Sequence, residues 1–128
     1  MNARRPREKD EAYLRLIRQL PCLVTARDGP SEAAHIRYSD LAANKRETGV
    51  GEKPDDRWTV PLCAEMHRLG NLAQHNSGER DWWRGHHIDP VLVAMELHVA
   101  YMREIYANAA LPPMRSIILR YSLFRRTA

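Results

Sequence analysis

Histidine is the side chain best suited to moving a proton near neutral pH or to binding a transition metal, and this chain has six. His35 lies in the stretch AAHIR (33–37), which reads as a strand that would hold the ring rigidly. A neutral imidazole there can take a proton from water, or it can simply fill a hairpin. His67 falls on a helix that follows a second short strand, and His75 comes eight residues later. Eight residues turn a straight helix about 80° past alignment. The two rings can therefore share a metal only if the helix bends near Gly70. Asn71, four residues past His67, lies on the same face and competes for the second ligand position. His86 and His87 read as helix-end residues, and His98 as the flank of a long helix.

Other groups with chemical potential surround these histidines in sequence. Asp55 and Asp56 precede the second strand, where Asp56 could orient His35, reach a metal, or only close a turn after Lys53-Pro54. Arg37 lies two positions past His35, on the same strand face, and could hold a phosphate. Lys53 and Arg57 flank the aspartate pair and are, with Arg37, the cations expected to meet nucleic acid. Glu79 could support a metal or cap a short helix. Arginine clusters near both ends (Arg4, Arg5 and Arg7; Arg115, Arg120, Arg125 and Arg126) could be solvated termini or arms that touch phosphate.

The elements that must position these groups follow from periodicity and punctuation. Residues 8–20 repeat apolar side chains at Ala12, Leu16 and Leu20, which predicts a helix that Pro21 stops. Residues 22–25 read as a strand, Asp28-Gly29-Pro30 as a turn, and 31–37 as the second arm of a hairpin. Residues 38–56 are a polar loop, long enough to suggest function. Residues 57–61 are another strand, and a helix runs from Leu62 to about Leu69. A short helix over 78–86 takes Ser77 as its cap. Asp89-Pro90 opens the longest helix, 90–109, with Val93, Leu97, Tyr101 and Ile105 as its apolar face. Leu111-Pro112-Pro113 ends that helix, and 114–124 are ambiguous between strand and helix. Trp82 and Trp83 point about 100° apart on a helix, so one is expected in the core and the other free to stack on a base.

At 128 residues the chain suits one domain, 1–128, with a modest core. The formal net charge of +4 favours an anionic partner without naming it. No apolar run approaches the roughly 20 residues that span a membrane, and MNARRPREKDE has no apolar signal core. The expected location is the cytoplasm, with no membrane partner. There are two cysteines, Cys22 and Cys63, expected to be reduced there.

The motifs AHIR, KPDD and PLC…H…QH, taken together over residues 21–90, resemble the His-Me finger (HNH, ββα-metal) endonucleases, especially the small HNH nucleases of phages and prophages. The resemblance implies an α+β fold: a ββα-metal core over 21–90, an N-terminal helix over 1–20 and a C-terminal helical extension over 91–128. It implies metal-dependent hydrolysis of DNA, with His35 as general base, Asp56 and Arg37 beside it, and one divalent cation (Mg²⁺, Mn²⁺ or Zn²⁺) on His67 and His75. A recombinase could be a further partner. The alternative is an HNH-like module that binds DNA and cuts weakly or not at all; a weaker one is a helical structural protein with incidental histidines. Two departures from the family pattern stand out. Thr25 and Met66 occupy places where the family pairs cysteines around a structural zinc, so that zinc is not expected. Ala34 stands where many members carry a metal ligand.

Overall fold

The computed structural model describes residues 6–48, 52–70, 73–74 and 78–127, the last five by backbone alone. Helix α1 spans Glu11–Ile17. Strand β1, Glu32–His35, pairs antiparallel with β2, Thr59–Leu62, in register Glu32↔Leu62 to His35↔Thr59. A five-residue π-helical turn, Glu65–Leu69, follows β2. Helices α2 (Glu79–Gly85), α3 (Pro90–Met102) and α4 (Leu111–Thr127) complete the order. The architecture is a small two-stranded sheet among helices, an α+β arrangement.

A lone two-stranded hairpin is marginal in water, so this one depends on what covers it. Ala34, Ile36, Val60 and Leu62 join one core with Tyr13, Leu16 and Ile17 of α1 and Val93 and Leu97 of α3. Alternation along β1 then decides the site. Ala34 and Ile36 point inward at 1% and 0% exposure, which turns Ala33, His35 and Arg37 to the other side. Pro61 lacks an N–H, yet breaks no ladder bond. Its carbonyl faces away from β1 and accepts the Leu23 N–H at 2.9 Å, so its missing donor also faces away.

The expected arm 31–37 supplies β1, but its partner is the strand expected at 57–61 and not residues 22–25. Residues 22–25 form no strand. The chain closes a tight loop there, with Ala26 N–H on Cys22 O and Cys22 N–H on Arg27 O, both at 2.8 Å, and Ala26 in the left-handed region at φ 62°. The turn is complete before Asp28-Gly29-Pro30 is reached. The true partner of β1 comes across the long connection, which Lys45 organises. Lys45 is 1% exposed; its ammonium donates to Tyr38 O and lies 5.9 Å from the Trp58 ring centre.

The helix after β2 ends at Gly70. A Cβ there would come within 2.7 Å of the Glu65 carbonyl, so only glycine permits this close turn. Ser77, the expected cap of α2, lies outside the described residues. Asp89 caps α3 as expected, accepting the Val91 N–H at 3.0 Å, with Pro90 in the first turn. The helix stops at Met102 rather than 109, which leaves Ile105 92% exposed. Pro112 and Pro113 do not end a helix; they begin α4, where missing N–H groups cost nothing. Trp82 and Trp83 are both buried, edge to face at 4.8 Å, so neither is available to a base. Among the described residues no helix is long and apolar enough to cross a membrane.

Helix α3 carries apolar side chains on two faces, with Leu97 at 0% exposure and Leu92 at 50%. Leu97→Ala should destabilise by about 3 kcal/mol, and Leu92→Ala by less than about 0.5 kcal/mol. Urea unfolding of the two variants distinguishes the faces; equal losses would contradict this assignment of the core.

Candidate active site

The site begins at the end of β1. The His35 ring is 13% exposed, and its Nε2 lies 2.9 Å from Asp56 Oδ1. Asp56, itself 3% exposed, stands at the return of the long connection into β2. Its carboxylate gathers two more donors: Arg7 Nη1 on Oδ1 at 2.7 Å and the Asp10 backbone N–H on Oδ2 at 2.8 Å. Burial alone would raise its pKa, but the bonds from His35 and Asp10 and the charge of Arg7 outweigh it and hold the carboxyl below its ordinary value. An ionised carboxylate only accepts hydrogen bonds. The shared proton therefore belongs to His35 Nε2, and Nδ1 carries the lone pair. Burial is the main influence lowering the His35 pKa, with Arg7 and Lys53 adding to it and Asp56 opposing. The ring is thus neutral at pH 7, as a general base must be.

A second imidazole is built on the same pattern. His67, on the π-helical turn, has Nδ1 2.8 Å from Glu32 Oε1. Glu32 is also gripped by Arg68, at 2.8 Å to Oε2 and 3.0 Å to each oxygen. Those bonds keep Glu32 below the usual carboxylate range, with Arg68 the largest cause. An ionised Glu32 accepts the hydrogen bond from the Nδ1–H of His67, so Nε2 is the ring nitrogen turned away from it. A carboxylate behind a histidine in this way is the usual support for a metal-ligating ring. Neither Glu32 nor Arg68 stands out in the sequence. The only available signal was that Glu32 opens the strand ending in His35.

His35 and His67 line one cleft of about 320 Å³ together with Ala33, Arg37, Lys53, Gln74 and Glu79. Glu79 accepts the Arg37 N–H at 3.0 Å and the Gln74 amide at 3.1 Å. It does not cap its own helix. Burial raises its pKa against the pull of the Arg37 N–H and Lys45. A second cleft of about 460 Å³ also reaches His35, lined by Arg7, Lys9, Arg18, Lys53 and Asp56 among others.

The expected residues divide as follows. His35, Asp56, Arg37, Lys53 and His67 come together. Arg57 does not join them: its guanidinium lies 3.2 Å from His98 Nδ1 and 5.9 Å from the Trp58 ring. His75 and Asn71 lie outside the described residues. Ala34 faces the core at 1% exposure, so its small side chain takes nothing from the cleft. Cys22 and Cys63 are free and buried, close enough for the two thiols to influence each other. Of the terminal arginines, Arg7 turns inward to Asp56, Arg115 pairs with Asp28 at 3.3 Å and Arg120 pairs with Glu96.

Among the described residues no group of three or more His, Cys, Asp or Glu side chains is placed to hold a metal ion. Among the described residues, the cleft is lined by the His67 imidazole and by the Glu79 carboxylate, whose oxygens accept from Arg37 and Gln74. Two such donors make no closed structural centre; a cation held there would keep most of its own waters. Comparison with protein-family models, curated proteins and solved structures finds no match.

Removing Asp56 leaves Arg7 and the Asp10 N–H without their acceptor, so Asp56→Ala should cost about 3 kcal/mol at pH 7. A carboxyl whose pKa is depressed by folding stabilises above its unfolded value, about 3.9, and loses that contribution as pH falls through the folded pKa. The gap between wild type and variant should therefore narrow below about pH 4. Urea unfolding at several pH values checks this; a gap independent of pH would contradict an ionised Asp56.

Proposed function

We propose that this chain is a metal-dependent DNA endonuclease of the His-Me finger kind, built on a ββα-metal core. The observation that carries the reading is the pairing in one cleft of two imidazoles with opposite nitrogens bonded: His35 through Nε2 to Asp56, His67 through Nδ1 to Glu32. One ring is prepared to accept a proton and the other to ligate. The element order strand, long connection, strand, short helix supports the same reading.

In this scheme His35 Nδ1 takes the proton of a water as that water attacks phosphorus. Asp56 keeps the ring in the correct tautomer and stabilises the imidazolium that forms. Arg37 and Lys53 hold the phosphodiester against the cleft by charge-assisted hydrogen bonds. A divalent cation, Mg²⁺, Mn²⁺ or Zn²⁺, would be held by His67 with support from Glu79, and would supply charge stabilisation to the phosphate and the leaving oxygen.

Supercoiled plasmid incubated with the purified chain and Mg²⁺ or Mn²⁺ should be nicked, and His35→Ala should slow nicking by about 10²- to 10⁴-fold. Lys53→Ala should weaken DNA binding and reduce its salt slope by about one. Absence of nicking with any divalent cation would overturn the reading. Binding that persists without cutting would replace it with a DNA-binding module.

A further inference from the structure

We propose that the N-terminal strap, residues 7–10, is a working part of this site, and that Arg7 is a positioning residue fixing the Asp56 carboxylate against the His35 ring. The inference rests on the reading of His35 as the base. It begins from four bonds between the strap and one aspartate pair. Arg7 Nη1 reaches Asp56 Oδ1 at 2.7 Å, and the Glu8 N–H reaches Asp55 Oδ1 at 2.8 Å. The Asp10 N–H reaches Asp56 Oδ2 at 2.8 Å, and the Asp56 N–H returns to Glu8 O at 2.9 Å. The strap thus lies along the Asp55-Asp56 backbone and binds both carboxylates.

The strap is anchored at its far end as well. Asp10 caps α1 by accepting the Tyr13 N–H at 3.0 Å, and the Tyr101 hydroxyl of α3 reaches the same oxygen at 3.4 Å. Movement of Asp56 would therefore disturb two helices. Both donors to Asp56 Oδ1 are ionic or strongly polar: the Arg7 guanidinium and the His35 ring. Arg7 withdraws charge from the oxygen that accepts the His35 proton. This restrains Asp56 from holding the ring as an imidazolium, while the Asp10 N–H pins the other oxygen. The charged groups acting on His35 are Asp56, Arg7 and Lys53; Arg37, His67 and Glu79 line one cleft with it, and Lys9, Glu11, Arg18 and Glu32 line the other. Arg7 has a rival role. It lines the second cleft with Lys9, Arg18 and Lys53, where it could simply hold a phosphate.

The test is ¹⁵N NMR titration of the His35 ring in the full chain without DNA, for wild type, Arg7→Ala, Arg7→Lys and Asp56→Asn. It is combined with single-turnover plasmid cleavage and DNA-binding titrations. Wild type is expected to show the Nε2-protonated tautomer. Arg7→Ala should move the His35 midpoint, and the acid limb of the pH–rate profile, to higher pH; Asp56→Asn should move the midpoint to lower pH. Arg7→Ala should slow cleavage by about 10- to 100-fold with DNA affinity changed by less than about threefold. Arg7→Lys, which keeps the charge without the fork, should hold the midpoint near wild type and restore part of the rate. An Arg7→Ala variant that keeps the wild-type midpoint and tautomer overturns the proposal. So does one that keeps its cleavage rate and loses only DNA affinity, and so does an Arg7→Lys variant as impaired as Arg7→Ala in both readouts. If Arg7→Ala does not fold, Arg7→Lys and Asp56→Asn still decide. If wild type does not cleave DNA but the midpoints move as stated, the endonuclease reading fails and the clamp stands.

Discussion

A carboxylate with 3% of its surface exposed must be supplied with donors, because an uncompensated buried charge is among the costliest things a fold can contain. Asp56 meets that constraint by drawing three segments to one point: the end of β1 through His35, the strap through Arg7 and Asp10, and its own loop returning into β2. Much of the architecture follows from this. The long connection after β1 has to double back so that Asp56 faces the strand it left. The strap has to lie against that loop before α1 can begin at its cap. The same bonds determine the tautomer of His35, so the interaction that ties the fold together also defines the chemistry of the ring.

Glu32 repeats the device on a smaller scale. It is more exposed and is stabilised by the planar fork of Arg68, which suits a bidentate carboxylate contact, and it accepts the hydrogen bond from His67 Nδ1. Two carboxylates thus hold two imidazoles by opposite ring nitrogens around one cleft. The two-residue period of β1 does the rest. Burying Ala34 and Ile36 leaves Ala33 small enough to floor the cleft and sets His35 and Arg37 along one side of it.

The parts of this arrangement that were legible in the sequence are those with local causes. Asp89-Pro90 marks a helix start by cap chemistry alone, and the spacing of His35 and Arg37 places both on one face of a strand wherever that strand pairs. The pairing itself was not legible, because the turn signal at Asp28-Gly29-Pro30 suggested a local hairpin. The loop closed by Cys22, Ala26 and Arg27 is already complete before that signal. Lys45 was read as part of a polar loop, whereas its buried ammonium organises that loop. Asp56 was a candidate orienter from its position before a strand. Nothing local indicated that Arg7, forty-nine residues away, would be its partner, since an arginine near a charged terminus looks solvated until the acceptor is known. Glu32 and Arg68 were missed for the same reason: their pairing is set by register between β1 and the turn after β2.

The most direct measurement of the central claim is a crystal structure of the chain with Mn²⁺ and a DNA duplex carrying an uncleavable phosphate linkage. The account predicts the metal and the modified phosphate together in the cleft between His35 and His67, with Arg37 and Lys53 on the phosphate oxygens. Metal and phosphate bound elsewhere, for example on the face of Arg57 and Trp58, with the His35–His67 cleft holding neither, would contradict it.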